Sequence, residues 1–88
     1  MRSLTILMDV EAGVIDVLKN VSRRPIEPAL NSDLIADLGF DSLQVLEVAT
    51  ELEDRFDITM PTEGGASVRT VGDVVARVAA LLKERAGS

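Results

Sequence analysis

Apolar residues return every three or four positions in three stretches of the chain, which is the spacing of one helix face. Leu7, Val10, Val14, Val17, Leu18 and Val21 predict a first helix from about residue 5 to 21. Gly13 lies inside it and weakens it by about 1 kcal/mol relative to Ala. Ser22-Arg23-Arg24-Pro25 ends it, because Pro disfavours helix in the residue before it. A second helix is predicted from Ser42 to about Arg55. Projected at about 100° per residue, Val45, Val48, Ala49, Leu52 and Phe56 share one stripe, the core face. Leu43, Glu47, Thr50 and Asp54 share another, with Leu46 between the two on the side of Ser42. Val71, Val74, Val75, Val78, Leu81 and Leu82 form the face of a last helix, which Thr70 opens with Asp73 completing a capping box.

The stretches between are less regular. Residues 22–38 are a long connection broken by Pro25 and Pro28. Ile26, Leu30, Leu34, Ile35 and Leu38 are expected to pin it to the core, with Asn31 or Ser32 capping a single turn over 33–37. Ile58 and Met60 are expected to turn inward after the second helix. Glu63-Gly64-Gly65-Ala66-Ser67 supports at most a short, weak third helix, since each Gly costs about 1 kcal/mol in helix. The predicted fold is all-α, a small bundle of three to four helices in one domain spanning 1–88, with its core at about 5–85.

Composition narrows the chemistry. The chain has 88 residues with two aromatic side chains, Phe40 and Phe56, so the core is aliphatic. It contains no Cys, which removes disulfides and thiolate sites, and no His, which removes the usual general base near neutral pH. A Ser-His-Asp mechanism is therefore impossible within the chain. No metal site is expected, and the chain is expected not to be an enzyme. No apolar run approaches membrane-spanning length, and a cytoplasmic, freestanding monomer is the expectation.

The net charge of −6 is unevenly spread. Residues 25–54 hold eight acids (Glu27, Asp33, Asp37, Asp41, Glu47, Glu51, Glu53 and Asp54) and no Lys or Arg. Such a field repels nucleic acid and anionic membrane and draws in basic protein surfaces. Ser42 lies within this segment. Gly39 breaks the backbone before it, Asp41 is a good N-cap, and Gln44 stands where a capping box needs its partner. The hydroxyl is thus expected at the exposed start of a helix, placed to be acted upon.

Asp37-Leu38-Gly39-x-Asp41-Ser42-Leu43, then Glu47, then Glu53-Asp54-x-Phe56-x-Ile58-x-Met60-Pro61, then Thr70-Val71-x-Asp73, resembles the acyl carrier protein family over residues 26–82. Gln44 and Arg55 stand where many or some members carry acids, and Gly64-Gly65 replaces acidic helix formers. The resemblance implies that Ser42 is esterified with 4′-phosphopantetheine from coenzyme A by a phosphopantetheinyl transferase. It implies that the terminal thiol of that arm holds acyl groups as thioesters. Acyl-loading and acyl-processing enzymes with basic docking surfaces are then expected to meet Asp41, Leu43, Glu47, Glu53 and Asp54. Leu46, Met60, Gly65 and Val68 are expected to border an aliphatic cavity for the acyl chain, with ordinary core packing as the competing reading. Two other functions stand beside this one. A carrier of aminoacyl or peptidyl groups is disfavoured by the acidity around Ser42. A module that binds a basic partner without carrying anything is separated by whether Ser42 takes up phosphopantetheine.

Overall fold

The computed structural model describes residues 2–60 and 68–87. Among the described residues, three helices make up the architecture: α1 (Arg2–Val21), α2 (Ser42–Phe56) and α3 (Val71–Gly87). The first begins three residues before the sequence expectation. Its apolar repeat starts at Leu7, so the turn ahead of the repeat carries no periodic signal. The expected short helix over residues 63–67 lies outside the described residues. Among the described residues, no helix is long and apolar enough to cross a membrane.

The core is the set of stripes read from the sequence. Val10, Val14, Val17 and Leu18 of α1 meet Val48 and Leu52 of α2 and Val71, Val74, Val75 and Val78 of α3. Leu18, Leu34 and Leu52 are fully enclosed, and burial of each contributes roughly 2–3 kcal/mol. Phe40, Leu34 and Leu38 close the core from the connection, and Ile58 and Met60 pack against its edge.

The long connection is ordered by backbone bonding as well as by apolar side chains. Leu34 N–H donates to the Arg69 carbonyl at 2.9 Å, Val71 N–H to Ser32 at 3.0 Å, and Gly72 N–H to Leu30 at 2.7 Å. Asp33 and Thr70 thereby form an isolated antiparallel bridge. The turn over 33–37 is capped by Asp33 itself, in place of Asn31 or Ser32. Its Oδ1 accepts the N–H groups of Ile35 (2.9 Å) and Ala36 (2.8 Å). Ser32 spends its hydroxyl one turn earlier, on the N–H of Ala29. This turn also decides which apolar residues enter the core. Leu34 and Leu38, four apart, point in, while Ile35 is 63% exposed and Leu30 49% exposed, against the expectation that both pin the loop.

Candidate functional site

Four consecutive residues bring Ser42 to the surface. Leu38 and Phe40 are buried and anchor the chain on either side of Gly39. Gly39 adopts φ 76°, a left-handed conformation that disfavours side chains, and this redirects the backbone toward α2. Asp41 follows in extended conformation as the N-cap. Its Oδ1 accepts the Gln44 N–H at 2.8 Å, and its own N–H donates to Gln44 Oε1 at 3.2 Å. Such a cap is worth about 1 kcal/mol. Gln44 extends this by donating Nε2–H to the Val21 carbonyl at 3.5 Å, which ties the start of α2 to the end of α1. An acid at 44 has no donor for that carbonyl. Ser42 is the first residue of α2 and is exposed. Among the described residues, no hydrogen bond engages its hydroxyl.

Beside Ser42 opens a cleft of about 410 Å³. Ser42, Val45 and Leu46 line it from α2, Leu34 and Ile35 from the connection, and Val68 from the segment before α3. Asp33 and Arg69 complete the lining. Arg69 Nε donates to Asp33 Oδ2 at 3.3 Å. The N–H groups of Ala36 and then Ile35, with Arg69 adding a smaller part, hold the Asp33 carboxyl below its ordinary 3.8. Asp73 is lowered likewise, chiefly by the Thr70 N–H and then by that of Arg69. Thr70 Oγ1 in return accepts the Asp73 N–H at 3.1 Å, so the expected capping box opens α3.

The remaining candidates separate by surroundings. Asp41, Leu43, Leu46, Glu47 and Asp54 are exposed, Leu43 at 67% and Leu46 at 52%. Glu53 is half-buried, and its carboxylate accepts the Met60 N–H at 2.7 Å. Met60 is half-buried and packs against the core, while Leu46 and Val68 share the cleft with Ser42. Gly65 lies outside the described residues. Arg55, which departs from the acidic pattern, pairs with Asp16 of α1 at 2.8 Å across an exposed surface, worth about 0–1 kcal/mol. Sequence reasoning missed Arg69 and the double role of Asp33. The signal for Arg69 was its place directly before the Thr70 cap, which fixes it at the mouth of α3 and opposite the loop.

The arrangement offers an accessible alcohol on a rigid support and an apolar trough alongside, in a chain with no His or Cys. Residues 12–78 match the family model described as phosphopantetheine attachment site. An acyl carrier protein of an Exiguobacterium species is 45% identical over 74 residues, covering 83% of this chain and 89% of that protein. A meromycolate extension acyl carrier protein of Mycobacterium bovis is 35% identical over 77 residues, covering 86% of this chain and 67% of that one. A solved structure from Mycobacterium tuberculosis, described as a candidate acyl carrier protein, superposes with a TM-score of 0.74 at 37% identity, covering 81% of this chain and 96% of that one.

Proposed function

The chain belongs to the acyl carrier protein family and carries acyl groups on a covalently attached 4′-phosphopantetheine, and we propose that Ser42 is the residue that bears this arm. The observation that carries the assignment is the exposed hydroxyl on the first turn of a capped helix, at the edge of an apolar cleft. A phosphodiester there meets the unpaired N–H groups and positive end of α2, which favour an anion. The residues therefore fit the group. Asp41 opposes it by like charge, yet the cap bond keeps that carboxylate turned toward Gln44.

The arm supplies the thiol that the chain lacks. The chain itself supplies position. With no histidine or cysteine to take the Ser42 proton, deprotonation belongs to a separate transferase acting on coenzyme A. The reading makes residues 1–88 one carrier domain, monomeric and cytoplasmic, that performs no chemistry of its own. Basic surfaces of the transferase and of acyl-processing enzymes meet Asp41, Glu47, Glu53 and Asp54, and Leu43 adds an exposed apolar contact. Leu46 and Val68 line the trough that receives the acyl chain, and Met60, which packs against the core, and Gly65 remain further candidates from the sequence pattern alone. Lipid biosynthesis of the fatty-acid or polyketide kind is the pathway class that suits such a cargo, and the meromycolate name of several relatives supports the lipid side.

Mass spectrometry after incubation with coenzyme A, Mg²⁺ and a promiscuous phosphopantetheinyl transferase tests the assignment. The wild type gains one phosphopantetheine on the peptide containing Ser42, and Ser42→Ala gains none while keeping its helical circular dichroism, because Asp41 retains the cap. Loading of Ser42→Ala, or no loading of the wild type, overturns it.

A further inference from the structure

The ion pair in the lining of the cleft is built to open. Arg69 meets Asp33 through Nε alone, at 3.3 Å, and its side chain is 80% exposed. Among the described residues, its terminal guanidinium nitrogens make no hydrogen bond. Asp33 does not depend on the pair, because Oδ1 already holds two backbone N–H groups and its side chain is only 23% exposed. Breaking the contact therefore leaves no bare carboxylate buried.

Charge around the cleft calls for that cation. Residues 25–54 carry eight acids and no basic side chain, and Ser42 sits among them; the Arg24 guanidinium lies beside Gly39 but does not line the cleft. A phosphodiester joined to Ser42 adds another negative charge to this segment. Arg69 arrives from the other end of the chain, held in place by the bond from Leu34 N–H to its carbonyl, and it is the cation lining the cleft that Ser42 also lines. A guanidinium fork matches two phosphate oxygens better than a point charge does.

We propose that Arg69 is a positioning residue that turns from Asp33 to the phosphodiester on Ser42 and so directs the arm along the apolar wall of Val45, Leu46 and Val68. The inference rests on the assignment of Ser42 above. An oxyanion at the far end of the cargo is the other source of the same chemistry, and the geometry favours the phosphodiester because its place is set by the bond to Ser42.

The experiment compares apo and arm-bearing protein for the wild type, Arg69→Gln, Arg69→Lys and a charge-matched control, Lys83→Gln, on the exposed outer face of α3. Two readouts are taken at low and high salt: the phosphorus-NMR shift of the phosphodiester and the change in melting temperature on attachment. Arg69→Gln is expected to move the phosphorus resonance and to lower the melting temperature of the arm-bearing form by about 3 °C relative to apo, an effect reduced by salt. Arg69→Lys restores the melting temperature in part without restoring the shift, and Lys83→Gln behaves as wild type. Equal behaviour of Arg69→Gln and Lys83→Gln overturns the proposal while Ser42 still bears the arm. Arms loaded with butyryl and with a carboxylate-ended acyl group separate the two anion sources. An Arg69 effect seen only with the carboxylate-ended cargo overturns the phosphodiester assignment. Absence of any mass gain on Ser42 overturns both the assignment and the inference.

Discussion

Gly13 of α1 lies against the tip of the Phe56 ring of α2: a Cβ at residue 13 would stand 2.5 Å from Phe56 Cζ. Gly13 is therefore a close-approach site, and the helix-weakening glycine of the sequence is what lets α2 end against α1. Gly13→Ala gains about 1 kcal/mol of helix propensity and loses about 2–3 kcal/mol to overpacking, for a net loss of about 1–2 kcal/mol in urea unfolding. In the Phe56→Leu background the same substitution is neutral or stabilising. A stabilised Gly13→Ala single variant would show that the ring moves aside freely.

Gly39 is a second backbone requirement, of a different kind. Its φ of 76° strains any L side chain, and a Cβ there would also stand 2.5 Å from Arg24 Nη2. The arginine tip swings away at little cost, so the conformational term decides. Gly39→Ala destabilises by about 1–2 kcal/mol, and Gly39→Asn by less, because asparagine tolerates the left-handed region. Thermal unfolding of the two variants checks the order.

Glu47 and Glu53 are both acids of α2 expected on the docking face, and they differ in the structure. Glu47 is exposed, whereas the Glu53 carboxylate holds the Met60 N–H. Glu47→Lys is expected to weaken transferase binding about tenfold at low salt and less at high salt, with stability unchanged. Glu53→Ala is expected to cost about 1–2 kcal/mol of stability, since it strips the acceptor from a half-buried amide. Calorimetric titration and urea unfolding of both variants separate the two roles. Equal binding loss with no stability loss at Glu53 would count against the Met60 tie.

Asp33 and Asp73 set the acid limb of stability. Both carboxyls are lowered below 3.8 by backbone N–H groups, those of Ala36 and Ile35 for Asp33 and those of Thr70 and Arg69 for Asp73. A folded-state value below the unfolded one stabilises the fold above the unfolded value, and this is lost as pH falls through the folded value. The urea midpoint therefore drops as pH is taken from about 5 to about 2, and Asp33→Asn with Asp73→Asn flattens that drop. An unchanged slope in the double variant would place the acid sensitivity elsewhere.

What the sequence made legible is what short-range rules govern. Asp41 with Gln44, and Thr70 with Asp73, are pairs three residues apart whose side chains close on the neighbouring backbone. The stripes of α1, α2 and α3 follow from one period. Whether Leu34 or Ile35 enters the core was beyond that logic, because both are apolar and adjacent. The choice falls to the Asp33 turn, which hydrogen bonds place and periodicity does not. Arg69 with Asp33 and Arg55 with Asp16 are 36 and 39 residues apart, so only the assembled bundle pairs them. The surface of the cleft was half legible for the same reason. Ser42 and Leu46 follow from one helix, while the Asp33–Arg69 pair exists only once the loop meets the segment that leads into α3.

The three amide bonds that sew residues 30–34 to residues 69–72, where α3 begins, divide the long connection into two parts of unlike tolerance. Extra residues spliced between Glu27 and Pro28 lengthen a span upstream of those bonds, where added slack costs little because closure entropy grows only slowly with length. A single residue inserted between Leu30 and Leu34 slips the stitching by one notch, turns Leu34 outward and drags the wall facing Ser42 out of line. A tag or reporter grafted into this carrier therefore belongs on the proline side of the loop.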